Sequence, residues 1–192
     1  MAIIDITRVV QDTPLYPGTP PMEFTRLTDV NKGDTYSVTQ YTITSHAGTH
    51  ADAFAHFLAG GTTIDHMPPE HYYGSAVVIT VPADALITKK DLEGRIRGAE
   101  RVVLHSGGKS YLSKEAADYL VSEKVITVVT DAWSVAPQDN ETEIHLTLFR
   151  AKIAVVENVV LDHVADGAYV LAAFPVKIKD CDGSPVRAVL IA

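Results

Sequence analysis

The chain has 192 residues, 46% of them hydrophobic, and carries 16 Lys and Arg against 24 Asp and Glu for a net charge of −8. That size and apolar content fit one globular α/β domain over residues 1–192, and the acidic balance excludes the basic stripe that a nucleic-acid partner needs. A single cysteine, Cys181, excludes an internal disulfide framework, no apolar stretch reaches the ~20 residues that span a bilayer, and the signal-free start Met1-Ala-Ile-Ile-Asp-Ile6 makes the expected location cytoplasmic.

Runs rich in Val and Ile predict strands over Ile3 to Val10, Ser37 to Thr44, Ala76 to Val81, Arg101 to His105, Val125 to Thr130, Ala151 to Val156, Tyr169 to Val176 and Val186 to Ile191. Gly and Pro punctuation at 16–21 and 59–62 marks loops inside the domain. A short helix is expected to begin near Thr88. A stronger one follows Ser113, a suitable N-cap, with Leu112, Ala116, Ala117, Leu120 and Val121 at helical spacing. Continuous apolar runs such as Val125 to Val129 suit strands buried on both faces, so the expected architecture is a mixed, strand-rich sheet with few helices.

The chemistry concentrates in one place. His46, His50, Asp52 and His56 put three imidazoles and a carboxylate within the eleven residues 46–56. Neutral imidazole and carboxylate are ligands for zinc, manganese or iron, and a nitrogen and oxygen set without thiolate is commoner in catalytic than in structural zinc sites. On a helix, His46 and His50 would share a face but Asp52 would point away, so no helix converges all three. The β-branched Tyr41 to Thr44 and the turn-tolerant Gly48 predict instead a strand running into a turn that gathers the ligands. The alternative is a chance cluster of histidines on a polar loop.

Two further ligand candidates lie far along the chain. Glu157 ends the apolar run Ile153 to Glu157, where an acid is costly to bury unless it is paired or holds a cation, and His145 sits in Glu143-Ile-His-Leu146. His66, His71, His105 and His163 are expected to be structural or solvent-facing, Asp131 to orient a ligand or cap a loop, and Cys181 to be an ordinary residue.

The pattern His46-x-Gly48-Thr49-His50-x-Asp52-x-x-x-His56 resembles the cyclase-like metal-dependent hydrolases, a family that includes bacterial kynurenine formamidase and, more distantly, isatin hydrolase. Similar as well are Ile4 to Ile6, Pro14-Leu-Tyr-Pro-Gly18, Gly60 to Asp65, Leu112 to Ala117, Asp131 with Ser134, and Asp182-Gly-Ser-Pro-Val-Arg187. The resemblance implies a swivelling β/β/α fold and assembly as a homodimer or larger homo-oligomer. It implies that His46, His50 and Asp52 hold one metal, that Asp52 and Glu157 bridge to a second completed by His145, and that His56 is the catalytic acid and base. Two zinc ions are the expected cofactor, with manganese or iron as alternatives. Tyr16 falls where the family carries a substrate-touching aromatic, usually tryptophan, and Phe54 stands where proline is usual.

The implied chemistry is amide hydrolysis on a small molecule. A metal lowers the pKa of bound water to about 7, and an imidazole moves the proton to the leaving nitrogen. An arylformamidase acting on N-formyl-L-kynurenine is the leading expectation. A hydrolase of cyclic amides or lactones, like isatin hydrolase, and a non-catalytic metal-binding member of the family are the alternatives.

Overall fold

Branched side chains stiff at χ1 pack well on a pleated surface, and the structure puts strands where Val and Ile crowd together. In this computed structural model, which describes residues 1–13 and 16–192, the strands are β1 (Ile3–Asp5), β2 (Glu23–Thr28), β3 (Val38–Thr42), β4 (His50–Asp52), β5 (Tyr73–Thr80), β6 (Leu86–Ile87), β7 (Arg101–His105), β8 (Tyr111–Leu112), β9 (Thr127–Thr130), β10 (Ala154–Glu157), β11 (Gly167–Ala172), β12 (Gly183–Pro185) and β13 (Val189–Ile191). Three α-helices accompany them among the described residues: α1 (Lys89–Leu92), α2 (Lys114–Ser122) and α3 (Glu141–Arg150). Pro14 and Leu15, part of the amino-terminal resemblance, lie outside the described residues.

Nine strands join in one mixed sheet, ordered β1-β13-β11-β5-β7-β9-β10-β4-β12. The pairs β5–β7, β7–β9 and β9–β10 are parallel and the rest antiparallel. Residues 127–130 and 154–157 are buried throughout, as their continuous apolar runs predict for strands covered on both faces. The architecture is therefore the expected α/β domain around a mixed sheet. No helix among the described residues is long and apolar enough to cross a membrane.

Both predicted helices form. The Ser113 side chain accepts from Ala116 N at the start of α2, and Thr88 with Asp91 makes a capping box for α1. Helix α3 has no counterpart among the predicted elements. It buries Ile144, His145, Leu148 and Phe149 on one face.

One expectation needs correction: the predicted strand over Ile3 to Val10 stops at Asp5, and Val10–Asp12 forms a 3₁₀ turn. Around the histidine motif β3 runs into a turn at 45–49 as expected, and the turn leads on into a further short strand, His50–Asp52, that the sequence did not suggest. Gly48, at φ +69°, makes that turn, and a Cβ there would lie 3.1 Å from Val10 Cγ2. The strand β4 is then held on both sides, by β10 and by β12.

Candidate metal centre

Strand β4 sets the geometry. Side chains alternate along a strand, so His50 and Asp52 project to one face, and Glu157 on β10 lies directly opposite His50. His50 Nε2 is 3.3 Å from Glu157 Oε2 and 3.5 Å from Asp52 Oδ1. Helix α3 closes the cluster with His145, whose Nε2 lies 3.6 Å from both Asp52 Oδ2 and Glu157 Oε1. From the turn before β4, His46 Nδ1 approaches Asp52 Oδ1 at 3.0 Å. The 3₁₀ turn Phe54–His56 brings the His56 ring to a centroid distance of 4.0 Å from that of His46.

The five expected ligands and His56 thus meet at one point. Ligand atoms close to within 4.8 Å of one another in two groups, His46 with Asp52 and His56, and His50 with Asp52 and Glu157. Asp52 belongs to both. The groups differ from the expected trio of His46, His50 and Asp52, because cross-strand pairing places His50 beside Glu157.

The backbone has already chosen which nitrogen each ring offers. His50 Nδ1 donates to Gly48 O at 3.0 Å and His145 Nδ1 to Glu141 O at 2.8 Å. A carbonyl oxygen only accepts, so each Nδ1 carries the hydrogen and Nε2 faces the carboxylates, the orientation that metal-ligating histidines favour. Glu157 Oε1 accepts from Val135 N at 2.8 Å. Asp52 Oδ2 is buried and has no hydrogen-bond partner among the described residues, His145 Nε2 standing off at 3.6 Å. An orphaned carboxylate oxygen among imidazole nitrogens and a second acid is costly without a cation, and this donor set fits a divalent one.

The ionisation of these groups follows from their neighbours. Burial alone would push His46 and His145 down, but Asp52 and Asp182 raise His46 to about 9, while Asp52 and Glu157 raise His145 to about 10. Burial pushes Asp52 and Glu157 up, and the surrounding imidazoles overcome it to hold both acids low. Protons and a metal ion therefore compete for the same nitrogens. His56 is shifted the other way, downward, chiefly by burial.

The cluster opens into a cavity of about 480 Å³ that exposes His46, His50, His56 and Glu157 and is walled by Tyr16, Phe57 and Trp133. Tyr16 and Trp133 pack at a ring-centroid distance of 5.5 Å, and the Tyr16 hydroxyl donates to Glu141 Oε2 at 3.1 Å. Phe57, Trp133 and Asp182 were not among the sequence candidates. Trp133 follows the carboxyl end of β9, the edge of a parallel sheet where ligands usually bind. Asp182 stands 3.0 Å from His46 Nε2 and 3.3 Å from His56 Nδ1, and its signal was the segment Asp182 to Arg187, similar to the family but without a role.

The remaining candidates lie elsewhere. Asp131 accepts from Ser106 N, Ser106 Oγ and Gly107 N, which makes it the cap of the 105–110 loop and not a ligand-orienting acid. His71 Nδ1 pairs with Ile126 O, His163 Nε2 with Asp5 O, and His66 is exposed.

The chain belongs to the Cyclase family, whose model, described as "Putative cyclase", matches residues 4–137 of the 192. It is 36% identical over 200 residues to the kynurenine formamidases of Bacillus anthracis and Bacillus mycoides, covering 97% of this chain and 96% of each relative. Among solved structures it is similar to one described as a potential metal-dependent hydrolase with cyclase activity, at TM-score 0.81 and 25% identity over 98% of this chain and 96% of that one. The fold is also shared with isatin hydrolase A from Ralstonia solanacearum, at TM-score 0.85 and 20% identity over 100% of this chain and 92% of that one.

Proposed function

We propose that the protein is a metal-dependent arylformamidase, hydrolysing N-formyl-L-kynurenine to L-kynurenine and formate. The observation that carries this reading is the orphaned Asp52 Oδ2 within a buried imidazole and carboxylate cluster that opens onto an aromatic cavity. The kinship to kynurenine formamidases along nearly the whole chain supports the same substrate class.

His46, His50, Asp52, His145 and Glu157 are the residues that would hold the metal, with Asp52 common to both ligand groups. Zinc is the proposed ion, although manganese and iron suit the same donors. Bound there, the metal supplies a water acidified towards neutrality and positive charge for the oxyanion that develops on the formyl group. His56, with its pKa lowered from 6.5 by burial, is neutral near pH 7 and can accept a proton from the attacking water. It then gives that proton to the departing aryl nitrogen, so that water adds across the C–N bond to yield the amine and formic acid, which releases its proton to solvent as formate. Tyr16, Trp133 and Phe57 hold the aryl ring and exclude water around it.

The proposed assembly is a homo-oligomer. Its support is the β2–β3 hairpin, a separate two-stranded sheet with Phe24, Leu27, Val38 and Tyr41 exposed. Such a hairpin is marginal in water without a covering surface.

The test is to measure metal content and formate release from N-formyl-L-kynurenine with wild type and His56→Ala. Bound metal with release that depends on His56 is the expected result. Bound metal without release would turn the search to cyclic amides and lactones, and a protein that takes up no metal on reconstitution would refute the reading.

A further inference from the structure

Asp182 touches three side chains at the edge of the cluster. Its Oδ1 accepts from Ser45 Oγ at 2.8 Å, and its Oδ2 lies 3.0 Å from His46 Nε2 and 3.3 Å from His56 Nδ1. An ionised carboxylate only accepts, so the hydrogen-bonded His46 Nε2 carries a hydrogen, and the carboxylate oxygen beside His56 Nδ1 favours the ring form with its hydrogen on that nitrogen. His46 is thereby held between two carboxylates, with Nδ1 facing the cluster 3.0 Å from Asp52 Oδ1, and for His56 this leaves Nε2 as the bare nitrogen.

The backbone makes this arrangement rigid. Ala53 N donates to Asp182 O at 2.9 Å, which ties the acid to the end of β4, and the next residue, Gly183, pairs with Asp52. A Cβ on Gly183 would lie 2.8 Å from His46 Cε1 and 3.0 Å from Ala51 O. Strand β12 therefore presses its bare backbone against the His46 ring and presents a carboxylate to two imidazoles at once.

We propose that Asp182 is a positioning residue, fixing through one carboxylate oxygen the orientation of both His46, a proposed metal ligand, and His56, the proposed acid and base, and with it the tautomer of His56. This rests on the hydrolase reading above. It places one acid behind two rings, one on the metal side of the site and one on the side of the base. Asp182 is half exposed, where a charge acting only at a distance is well screened, so the role assigned is geometric.

The test is long-range ¹⁵N NMR of the imidazoles in the zinc-loaded protein, together with zinc content, kcat and KM. Wild type is expected to show His56 protonated at Nδ1 and bare at Nε2. D182A is expected to keep its zinc, to lose that tautomer preference, and to fall about 10–100-fold in kcat at unchanged KM, the usual scale for removing the partner that orients a ligating histidine. D182N, whose amide oxygen can still accept from both rings while its NH₂ faces Ser45 Oγ, is expected to recover most of both. Wild-type His56 protonated at Nε2 would overturn the proposal without any variant, as would an unchanged tautomer in D182A. Equal losses in D182N and D182A would also overturn it, because they would show charge at work and not orientation. The spectra need no substrate, so a wild type that releases no formate would refute the formamidase reading while the tautomers still decided the role of Asp182.

Discussion

A buried carboxylate oxygen without a partner costs on the order of 1–3 kcal/mol, which makes Asp52 Oδ2 the most informative atom in the molecule. Asp52→Asn keeps the shape and removes the charge shared by both ligand groups, so it is expected to abolish stoichiometric metal binding, read by elemental analysis after dialysis. His56→Ala is expected to retain metal and to lose about 10²–10⁴-fold in kcat, the usual contribution of general acid–base catalysis. At the cavity wall, Trp133→Ala removes an aromatic contact worth about 0.5–1.5 kcal/mol and should raise KM roughly 2–10-fold with kcat preserved. His46, His50, Asp52 and His56 were legible in the sequence because three imidazoles and a carboxylate in so short a span make the donor set of a divalent ion. Glu157 was legible because an acid at the end of an apolar strand needs a partner. Asp182 and Trp133 were not, since the acid gains its meaning from His46 and His56 and the tryptophan from Tyr16, each more than a hundred residues away in the chain.

At the scale of elements, the strands announced themselves through β-branched runs, and α2 through its cap and spacing. Ser113→Ala removes the acceptor for Ala116 N and should cost about 1 kcal/mol, a lowering of Tm of roughly 2–4 °C in a scanning melt. Helix α3 was hidden because Thr142, Ile144, Thr147 and Phe149 favour strands locally, and its buried face becomes decisive only against the sheet. Strand β4 was hidden because three residues are too few to show a period, and its pairing is made by β10 and β12 from the far end of the chain.

His71, just before β5, gives an element-scale pH dependence. Burial lowers its pKa below 6.5, the Ile126 carbonyl opposes that in part, and the Arg101 charge lowers it further. The unfolded chain then binds this proton more readily than the fold does. The stabilisation is present above pH 6.5 and is lost as pH falls through that value towards the folded pKa. His71→Gln should show a smaller drop in Tm than wild type between about pH 7.5 and about pH 5.5, and an equal drop would remove His71 from the account.

Across the whole molecule, the proposed ligands draw together a turn, two strands and a helix. A metal bound there adds a further tie between segments that already meet by strand pairing, packing and ion pairs, and it binds the folded state alone. Removing it with a chelator should lower Tm, and restoring it should recover the loss, since ligand at about 1,000 times its Kd stabilises by about 4 kcal/mol. An unchanged Tm would mean that the cluster is held by its own ion pairs. The class of fold was legible from composition and apolar runs. The order of strands was not, because the sheet places β4, from the first third of the chain, between β10 and β12 from the last.

That insertion has a consequence for synthesis. Strand β4 leaves the ribosome early, carrying two of the proposed ligands, but both its neighbours and three of its chemical partners, His145, Glu157 and Asp182, follow about a hundred residues later. On the proposed ligand set, the nascent chain holds only the local group of His46, Asp52 and His56 until Glu157 has been made, and the group of His50, Asp52 and Glu157 is completed in the last fifth of synthesis.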